Sequence, residues 1–276
     1  MKKITTILLI LLLTAALFAG CGTTDDGGDD QNDLTTIKVG ASPTPHAEIL
    51  AVVKDMMAEK GYALDIVEFT DYVQPNLALD SGEIDANYFQ HQPYLDTMNE
   101  ERGLDLVSVA AVHYEPFGIY AGKTATIEEL ADGASISVPN DGSNEARALL
   151  LLEAQGLIKL NPDAGMNATV LDITENPKNI KIVEMEAAQL ARTLEDVDLA
   201  VINGNYAIQA GMNATTDALA IESQDSTAAT TFANILVVKA GNEEDAGIKA
   251  LIECLMSDEV KSFIDSTYDG AVVPMF

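Results

Sequence analysis

From residue 36 onward, short apolar runs alternate with longer segments of helical period, and this alternation restricts the fold more than any other feature. Runs at residues 36–41 and 64–69 have the length of strands, whereas residues 46–60, which Gly61 follows, have the period of a helix. Alternation of this kind predicts an α/β protein with mixed, mostly parallel sheets and helices on both faces.

The alternation begins again at Phe117, and no linker rich in Pro, Gly or Ser divides the two halves. Further strands are expected at residues 84–89, 106–112, 135–138, 180–184, 198–202 and 232–238, and further helices at residues 73–79, 93–102, 127–130, 144–155, 190–194, 206–210 and 243–266. Strand-like crossings between the halves are expected near residues 115 and 228. The pattern therefore predicts two lobes, residues 36–115 plus 228–276 and residues 116–227.

The N-terminus has the features of a secretory signal peptide over residues 1–20. Lys2 and Lys3 precede an apolar run that is too short to cross a bilayer easily, and small residues lead to Cys21. Residues 17–21 resemble a bacterial lipobox, which predicts that the Cys21 thiol receives a diacylglycerol and that its amino group is acylated. The alternative is an ordinary signal peptide with an incidental cysteine. Residues 21–35, nearly free of apolar side chains, are expected to form a flexible tether.

Charge excludes some classes of partner. The net charge is −29, and removal of the signal peptide with Lys2 and Lys3 makes it −31. Nucleic acids and anionic lipid surfaces attract basic patches, so neither is expected as a ligand. Cys254, the second of two cysteines, lies in an apolar helical pattern and is expected to be a buried apolar side chain.

Several polar and aromatic residues follow predicted strands, where open α/β sheets bind ligands. Phe89 and His91 share one strand face; the alternative is that Phe89 belongs to the core and His91 to the surface. Residues 113–118, at the first predicted crossing, are also polar and aromatic, which alone is a weak signal.

A turn at residues 139–143 leads into a strong helical pattern that contains Arg147. A helix start favours an anion, and a guanidinium can hold a carboxylate with two parallel hydrogen bonds. Arg147 is thus the candidate anchor for a carboxylate. The alternative is an ion pair on the helix surface with Glu145 or Glu153.

Asparagine ends or interrupts two apolar runs, at Asn203 and at Asn234. A buried amide needs a partner, either an amino group of a ligand or a neighbouring backbone group. A ligand with a carboxylate, an ammonium and an apolar side chain would use all of these groups. Its side chain would lie among Tyr72, Phe89, His91 and Tyr94, where a thioether gains contact with ring edges.

Four segments together are similar to the methionine-binding lipoproteins of bacterial ABC importers. They are residues 89–95 (Phe-Gln-His-Gln-Pro-Tyr-Leu), residues 138–141 with Asn144 and Arg147, residues 175–179 (Glu-Asn-Pro-Lys-Asn) and residues 200–203 (Ala-Val-Ile-Asn). The match is collinear from about residue 37 to the C-terminus and includes the lipobox. It departs from the family at Gly142 and Ser143, where members usually carry Pro-Thr.

The resemblance implies a two-lobed periplasmic-binding-protein fold of the second type that closes on L-methionine. Arg147 would pair with the carboxylate, while Asn203 and Asn234 would contact the head group. The implied ligand-binding residues are Tyr72, Phe89, His91, Tyr94, Asn144, Arg147, Asn203, Asn205 and Asn234, with Asn205 at a position that varies in the family. The implied protein is a monomer without cofactor, anchored by lipid on the extracytoplasmic face of the cell membrane, that docks on a permease coupled to an ATPase.

Three alternatives remain open at this stage. An enzyme on a related fold is disfavoured because the chain has no nucleophile elbow, HExxH motif or phosphate-binding loop. A metal-binding lipoprotein would use His46, His91 and His113 with a carboxylate, although a nearby arginine does not suit a cation site. The third alternative is a different small amino acid or a short peptide as ligand.

Overall fold

The computed structural model describes residues 34–222 and 230–276. The expected signal peptide, Cys21 and almost all of the expected tether lie outside the described residues, as does the expected second crossing near residue 228. No helix within the two described ranges has the length and apolar character needed to cross a membrane.

The described strands and helices follow the predicted alternation. The strands are β1 (Thr35–Ala41), β2 (Tyr62–Glu68), β3 (Ala86–His91), β4 (Leu106–Tyr114), β5 (Gly118–Ala121), β6 (Ser135–Pro139), β7 (Lys159–Leu160), β8 (Ile173–Glu175), β9 (Lys181–Met185), β10 (Leu199–Ile202), β11 (Ala220–Ile221), β12 (Asn234–Lys239) and β13 (Val273–Pro274). The α-helices are α1 (Glu48–Val52), α2 (Lys54–Glu59), α3 (Gln74–Ser81), α4 (Gln92–Arg102), α5 (Gly142–Ala154), α6 (Gly204–Gln209), α7 (Ala214–Asp217), α8 (Ala246–Leu255) and α9 (Asp258–Tyr268).

The strands form two main sheets. The first has the order β13-β4-β12-β3-β1-β2, and the second has the order β11-β5-β10-β6-β9. The first sheet thus combines strands from both ends of the chain, and the second uses the middle. A separate hairpin pairs β7 with β8.

Both sheets are mixed, as expected, but the expectation that most of the pairs are parallel is wrong. In the first sheet β1 pairs in parallel with β2 and β3, while β12 and β13 form antiparallel pairs. In the second, β6 pairs in parallel with β9 and β10, while β5 is antiparallel to β10 and β11. In the first sheet β12 runs opposite to both of its neighbours, β3 and β4, and in the second β5 runs opposite to both of its neighbours, β10 and β11.

Each sheet buries its own apolar side chains. Val39 of β1 and Leu236 of β12 pack with Leu50, Leu251 and Ile264 from the helices over the first sheet. In the second sheet the cluster joins apolar residues of β5, β6 and β10 to the apolar face of α5. Apolar burial of this kind is the main term that holds each layer to its sheet.

Some predicted elements differ from the observed ones. Residues 127–130 form bends and a turn, not a helix, although Leu130 is buried. The helix expected at 190–194 is a 3₁₀ helix, Ala187–Thr193. The helix expected at 46–60 is interrupted at Val53, which separates α1 from α2. The sequence predicted residue ranges for eight strands. Each of these strands is observed, and its first and last residues lie within two residues of the predicted ones.

The topology brings strand ends from the two sheets together. His91 ends β3 and precedes α4, whereas Asn203 follows β10 and precedes α6. Between the sheets, Glu115 lies in the connection from β4 to β5. These ends surround one cavity.

Candidate functional site

The cavity lies between the strand ends of the two sheets, and its empty volume of about 350 Å³ includes space open to solvent. Its lining residues are Tyr72, Phe89, Gln90, His91, Tyr94, Glu115, Asn144, Arg147, Asn203, Gly204, Asn205 and Asn234. All nine predicted ligand-binding residues are among them. Gln90, Glu115 and Gly204 were not predicted to line it.

Two sets of side chains make up most of the lining, and a hydrogen bond from the Tyr72 hydroxyl to Asn205 joins them. We call the set Glu115, Asn144, Arg147, Asn203, Asn205 and Asn234 the polar wall. The set Tyr72, Phe89 and Tyr94 is the aromatic wall. His91 lies between them, with Nε2 3.2 Å from the Asn144 Oδ1 and its ring 5.0 Å from that of Phe232.

Arg147 is buried in the polar wall, with 5% of its surface exposed. Its Nη2 lies 2.6 Å from Oε2 of Glu222, and its Nε lies 2.8 Å from Oε1 of the same carboxylate. Nη2 also donates to the backbone oxygen of Glu115 at 2.9 Å. Burial disfavours the charged guanidinium, but the Glu222 carboxylate and Tyr114 together raise the pKa of Arg147 above its usual value.

The alternative of a surface ion pair for Arg147 is therefore wrong. Glu145 instead accepts a hydrogen bond from the backbone N–H of Val170, and Glu153 accepts one from Leu160. The partner of Arg147 is Glu222, 75 residues away in the sequence. Local spacing carries no signal for a pair of that separation.

The start of α5 is capped by its own chain. The Asp141 carboxylate accepts hydrogen bonds from the backbone N–H of Asn144 at 3.1 Å and from its Nδ2 at 2.9 Å. Burial raises the pKa of Asp141. The expectation that this helix start would offer its N–H groups to a ligand anion is corrected for Asn144, so recognition of charge falls to Arg147.

Two polar atoms of the polar wall lack a hydrogen-bond partner among the described residues. They are the acceptor Oδ1 of Asn203 and the donor Nδ2 of Asn205, both buried. The other amide atoms are engaged, since Asn203 Nδ2 donates to Asn144 Oδ1 at 2.8 Å and Asn205 Oδ1 accepts from the Tyr72 hydroxyl at 2.5 Å. Buried polar atoms without partners are costly, so this pair indicates a ligand that both donates and accepts.

Glu115 supplies a buried negative charge beside these amides. Its Oε1 accepts a hydrogen bond from Nε2 of His113 at 2.8 Å, while Nδ1 of His113 accepts one from the Tyr88 hydroxyl. No lysine or arginine in the described part of the chain forms an ion pair with Glu115. Burial raises the pKa of Glu115 and, by the same effect, lowers that of His113 to about 3. The carboxylate therefore lacks a cationic partner.

Gly204 allows this carboxylate to approach the start of α6. A Cβ at position 204 would lie 2.7 Å from Oε2 of Glu115 and 2.6 Å from its Cβ. A larger residue would displace Glu115. Sequence reasoning missed both residues because nothing local in the sequence shows that Gly204 packs against Glu115, although Glu115 lay in the polar segment at the first crossing.

Asn234 has a different partner from those expected. Its Oδ1 lies 2.9 Å from Nε2 of His46, and that ring nitrogen is 3.6 Å from Oε1 of Glu115. Burial lowers the pKa of His46 to about 4, so the ring is neutral and its Nε2 donates to Asn234. The partner is thus neither a neighbouring backbone group nor, for this oxygen, a ligand.

The aromatic wall is held by ring contacts. The ring centroid of Tyr72 lies 5.9 Å from that of Phe89 and 5.8 Å from that of Tyr94, and Phe89 and Tyr94 are 6.1 Å apart. The Tyr94 hydroxyl donates to the backbone oxygen of Tyr72. His91 caps α4 by accepting from the Tyr94 N–H, and it is buried, so a surface position for His91 is wrong.

The structure brings together a different set of potential metal ligands from the set that the metal-binding alternative named. His46, His113 and Glu115 place ligand atoms within 4.8 Å of one another, but His91 is not part of the cluster. Both ring nitrogens of His113 already have hydrogen-bond partners, as does Nε2 of His46. Nδ1 of His46 has no hydrogen-bond partner among the described residues, and the other ring nitrogens form a hydrogen-bonded support beneath Glu115.

Comparison with known proteins identifies the family. The model of the NlpA lipoprotein family matches residues 37–276. The chain belongs to that family. It is 42% identical over 258 residues to the D-methionine-binding lipoprotein MetQ of Salmonella typhimurium, with 92% of each chain covered. It is 43% identical over 243 residues to the methionine-binding lipoprotein MetQ of Bacillus subtilis, covering 87% of this chain and 88% of that one.

A solved member of similar shape carries a ligand. The nutrient-binding protein of Burkholderia cenocepacia bound to methionine is 48% identical, with a TM-score of 0.83, and the match covers 87% of this chain and all of that one. The two-lobed α/β fold predicted from the sequence is confirmed by these relatives. The names of the relatives describe binding and not catalysis, in agreement with the prediction that the chain is not an enzyme.

Proposed function

We propose that this chain is the extracytoplasmic solute-binding protein of an ABC importer and that it binds methionine in the cavity between its two sheets. The observation that carries the proposal is that groups suited to a negative charge and groups suited to a positive charge lie in the same wall. Among the described residues, Glu115 has no cationic partner and two amide atoms beside it have no hydrogen bonds, while Arg147 presents a buried cation. The head group of a free amino acid supplies both charges within one small group.

The chemistry of each atom assigns its counterpart. The Arg147 guanidinium and Nδ2 of Asn205 are donors, so they suit the carboxylate of the solute. The Glu115 carboxylate and Oδ1 of Asn203 are acceptors, so they suit its ammonium. Asn144 and Asn234 hold Asn203 and His46 in position. The ligand would thereby satisfy every buried group of the polar wall that now lacks a partner.

The aromatic wall suits an unbranched apolar side chain that contains sulfur. A thioether near a ring edge contributes about 0.3–1.5 kcal/mol, and the rings of Tyr72, Phe89 and Tyr94 offer such edges. The names of the Salmonella and Bacillus relatives and the bound methionine of the Burkholderia protein support this assignment. His91 closes the space between the two walls.

The remaining parts of the proposal concern placement. Cys21 would carry the lipid that anchors the protein on the extracytoplasmic face of the membrane, and the monomer would dock on a permease coupled to an ATPase. The lobes would be residues 36–115 plus 228–276 and residues 116–227. Family membership and the strand content of each sheet support these assignments.

Calorimetry on the soluble protein tests the proposal. Residues 22–276 would be unfolded, dialysed to remove retained solute, refolded, and titrated with L-methionine, D-methionine, other small amino acids, methionine-containing dipeptides and zinc. We expect saturable binding of methionine at one site per chain. The assignment is wrong if neither enantiomer binds to the refolded protein, and heat with zinc or another amino acid would then support the corresponding alternative.

A further inference from the structure

Glu222 is held in place by more groups than Arg147 alone. Oε2 of Glu222 accepts hydrogen bonds from the Tyr114 hydroxyl at 2.8 Å and from the Phe117 backbone N–H at 3.3 Å. The Glu222 backbone N–H in turn donates to the Phe117 oxygen at 3.0 Å. The carboxylate is therefore fixed to the connection between β4 and β5, and Arg147 is fixed to the carboxylate.

This arrangement determines which edge of the guanidinium remains for a solute. Glu222 engages Nε and Nη2 of Arg147, and the backbone oxygen of Glu115 engages Nη2 as well. Nη1 is the nitrogen that Glu222 does not touch, while Arg147 lines the cavity. The rings of Phe232 and Phe117, with centroids 4.3 and 4.8 Å from Cζ, further restrict the group.

We infer that Glu222 is a positioning residue for the carboxylate of the solute. It holds one edge of the Arg147 guanidinium, keeps that group charged inside the protein, and aims the remaining edge into the cavity. This inference deepens the proposed function and rests on it. A fixed donor loses little freedom when the solute binds, so affinity for the carboxylate depends on a residue that does not line the cavity.

The opposite role for Glu222 predicts the opposite change in affinity for the solute. If Glu222 were an internal competitor that occupies Arg147 until a solute displaces it, its removal would strengthen binding. The two hydrogen bonds to Oε2 from the Tyr114 hydroxyl and the Phe117 N–H argue against displacement, because a departing carboxylate would leave both donors behind. The direction of the affinity change therefore separates the two roles.

The experiment compares two ligands on the same variants. L-Methionine and L-methioninol differ in that methioninol has a hydroxymethyl group where methionine has its carboxylate. For Glu222→Gln we expect methionine affinity to fall by about tenfold or more, since a hydrogen bond between charged groups is lost, while methioninol affinity stays within about twofold of the parent. Tyr114→Phe, which removes one donor from Glu222, should lower methionine affinity by about two- to threefold.

Glu253→Gln is the matched control, because Glu253 is an exposed partner of Lys60 far from the cavity, and its affinities for both ligands should equal those of the parent. Circular dichroism before titration establishes that each variant is folded. If Glu222→Gln fails to fold, Glu222→Asp and Tyr114→Phe still test the inference. Glu222→Asp keeps the charge but shortens its reach. Each variant should lose affinity for methionine but not for methioninol.

Equal losses for both ligands, unchanged methionine affinity, or tighter binding of methionine would each overturn the inference. Failure of the proposed function looks different. In that case the parent itself does not bind methionine, whereas failure of the inference leaves a parent that binds methionine with Glu222 irrelevant to the carboxylate.

Discussion

The polar wall and the aromatic wall face the same cavity but are built in different ways. In the polar wall, charges and amides are joined by directional bonds to partners far away in sequence, such as Arg147 with Glu222 and Asn234 with His46. In the aromatic wall, Tyr72, Phe89 and Tyr94 contact one another mainly through rings about 6 Å apart. One wall has polar groups without partners, and the other does not.

The difference indicates how the binding free energy would be divided. A buried charge without its partner is costly, so the polar wall should discriminate strongly between ligands with and without the correct head group. Ring contacts are weaker and less directional, so the aromatic wall should discriminate only modestly among side chains of similar size. The predictions below test this asymmetry, beginning with the largest expected effect.

Arg147→Ala should weaken methionine binding by a factor of about 100 to 4000, because removing one partner of a buried charge pair costs about 3–5 kcal/mol. The variant also leaves Glu222 buried without a cation, so its melting temperature should fall. Titration calorimetry below that temperature measures the loss. Arg102→Ala, at an exposed arginine at the end of α4, is the control and should bind as the parent does. Retained affinity in Arg147→Ala would remove the polar wall from head-group recognition.

Glu115→Gln should weaken methionine binding by about 10- to 100-fold, because a charge-assisted hydrogen bond to the ammonium contributes about 1.5–3 kcal/mol. The loss should disappear for 4-(methylthio)butanoate, which lacks the amino group. Calorimetry with both ligands measures the difference, and Glu253→Gln serves again as control. A similar loss for both ligands would mean that Glu115 supports the cavity without contacting the ammonium.

Phe89→Leu should produce a smaller effect, about two- to tenfold weaker binding, because it removes one ring from the thioether contact. Norleucine, with a methylene in place of sulfur, should bind the parent less tightly than methionine, and this preference should shrink in the variant. Phe263→Leu, at a ring that packs on Tyr268 in α9, is the control. A loss in Phe89→Leu as large as that in Arg147→Ala would contradict the asymmetry between the walls.

The smallest effect concerns the histidines, whose protonation should not change between pH 8 and pH 5.5. The chain has three histidines, and burial lowers the pKa of His46 to about 4 and those of His91 and His113 to about 3. Their imidazole proton resonances should therefore remain unchanged from pH 8 to pH 5.5. A resonance that titrates with a midpoint near pH 6.5 would contradict the neutral support beneath Glu115.

The same shifts have a consequence for stability. The unfolded chain takes up protons on histidine below about pH 6.5, and the folded chain does not until about pH 4 or lower, so these groups reduce the free energy of unfolding as pH falls below 6.5. Each contributes at most about 1.4 kcal/mol per pH unit. The raised pKa values of Glu115 and Asp141 act in the opposite direction, because the folded state then binds the additional proton. Urea unfolding at pH 7.5 and 5.5, with His113→Asn as comparison, measures the histidine part.

Much of the fold and part of the site could be predicted because their signals are local. Hydrophobic period placed the strands, and strand ends placed Phe89, His91 and Asn203 near one cavity, since strand ends of an α/β sheet converge. The family resemblance added Asn144 and Asn205. The contacts that these residues make could not be predicted from local sequence. The pair of Arg147 and Glu222 spans 75 residues, and Glu222 follows a strand of two residues that no periodicity reveals.

The wrong expectations have the same origin. Residues 127–130 carry apolar side chains at helical spacing, but they form bends and a turn. Tertiary packing buries Leu130 without a helix. Parallel pairing followed from the strand–helix alternation, whereas the reversed directions of β5 and β12 within their sheets depend on contacts across the molecule. Local propensity thus predicted which elements exist better than it predicted how they pair.

The orientation of the solute tests the central claim most directly. A crystal structure of the refolded protein with selenomethionine as ligand, in which the protein itself contains ordinary methionine, would locate the ligand selenium by its anomalous signal. The account predicts one peak among the rings of Tyr72, Phe89 and Tyr94, with the ligand carboxylate at Arg147 and its ammonium at Glu115. A peak against the polar wall, or outside the cavity, would contradict the division of the site into a wall that recognises the head group and a wall that receives the side chain.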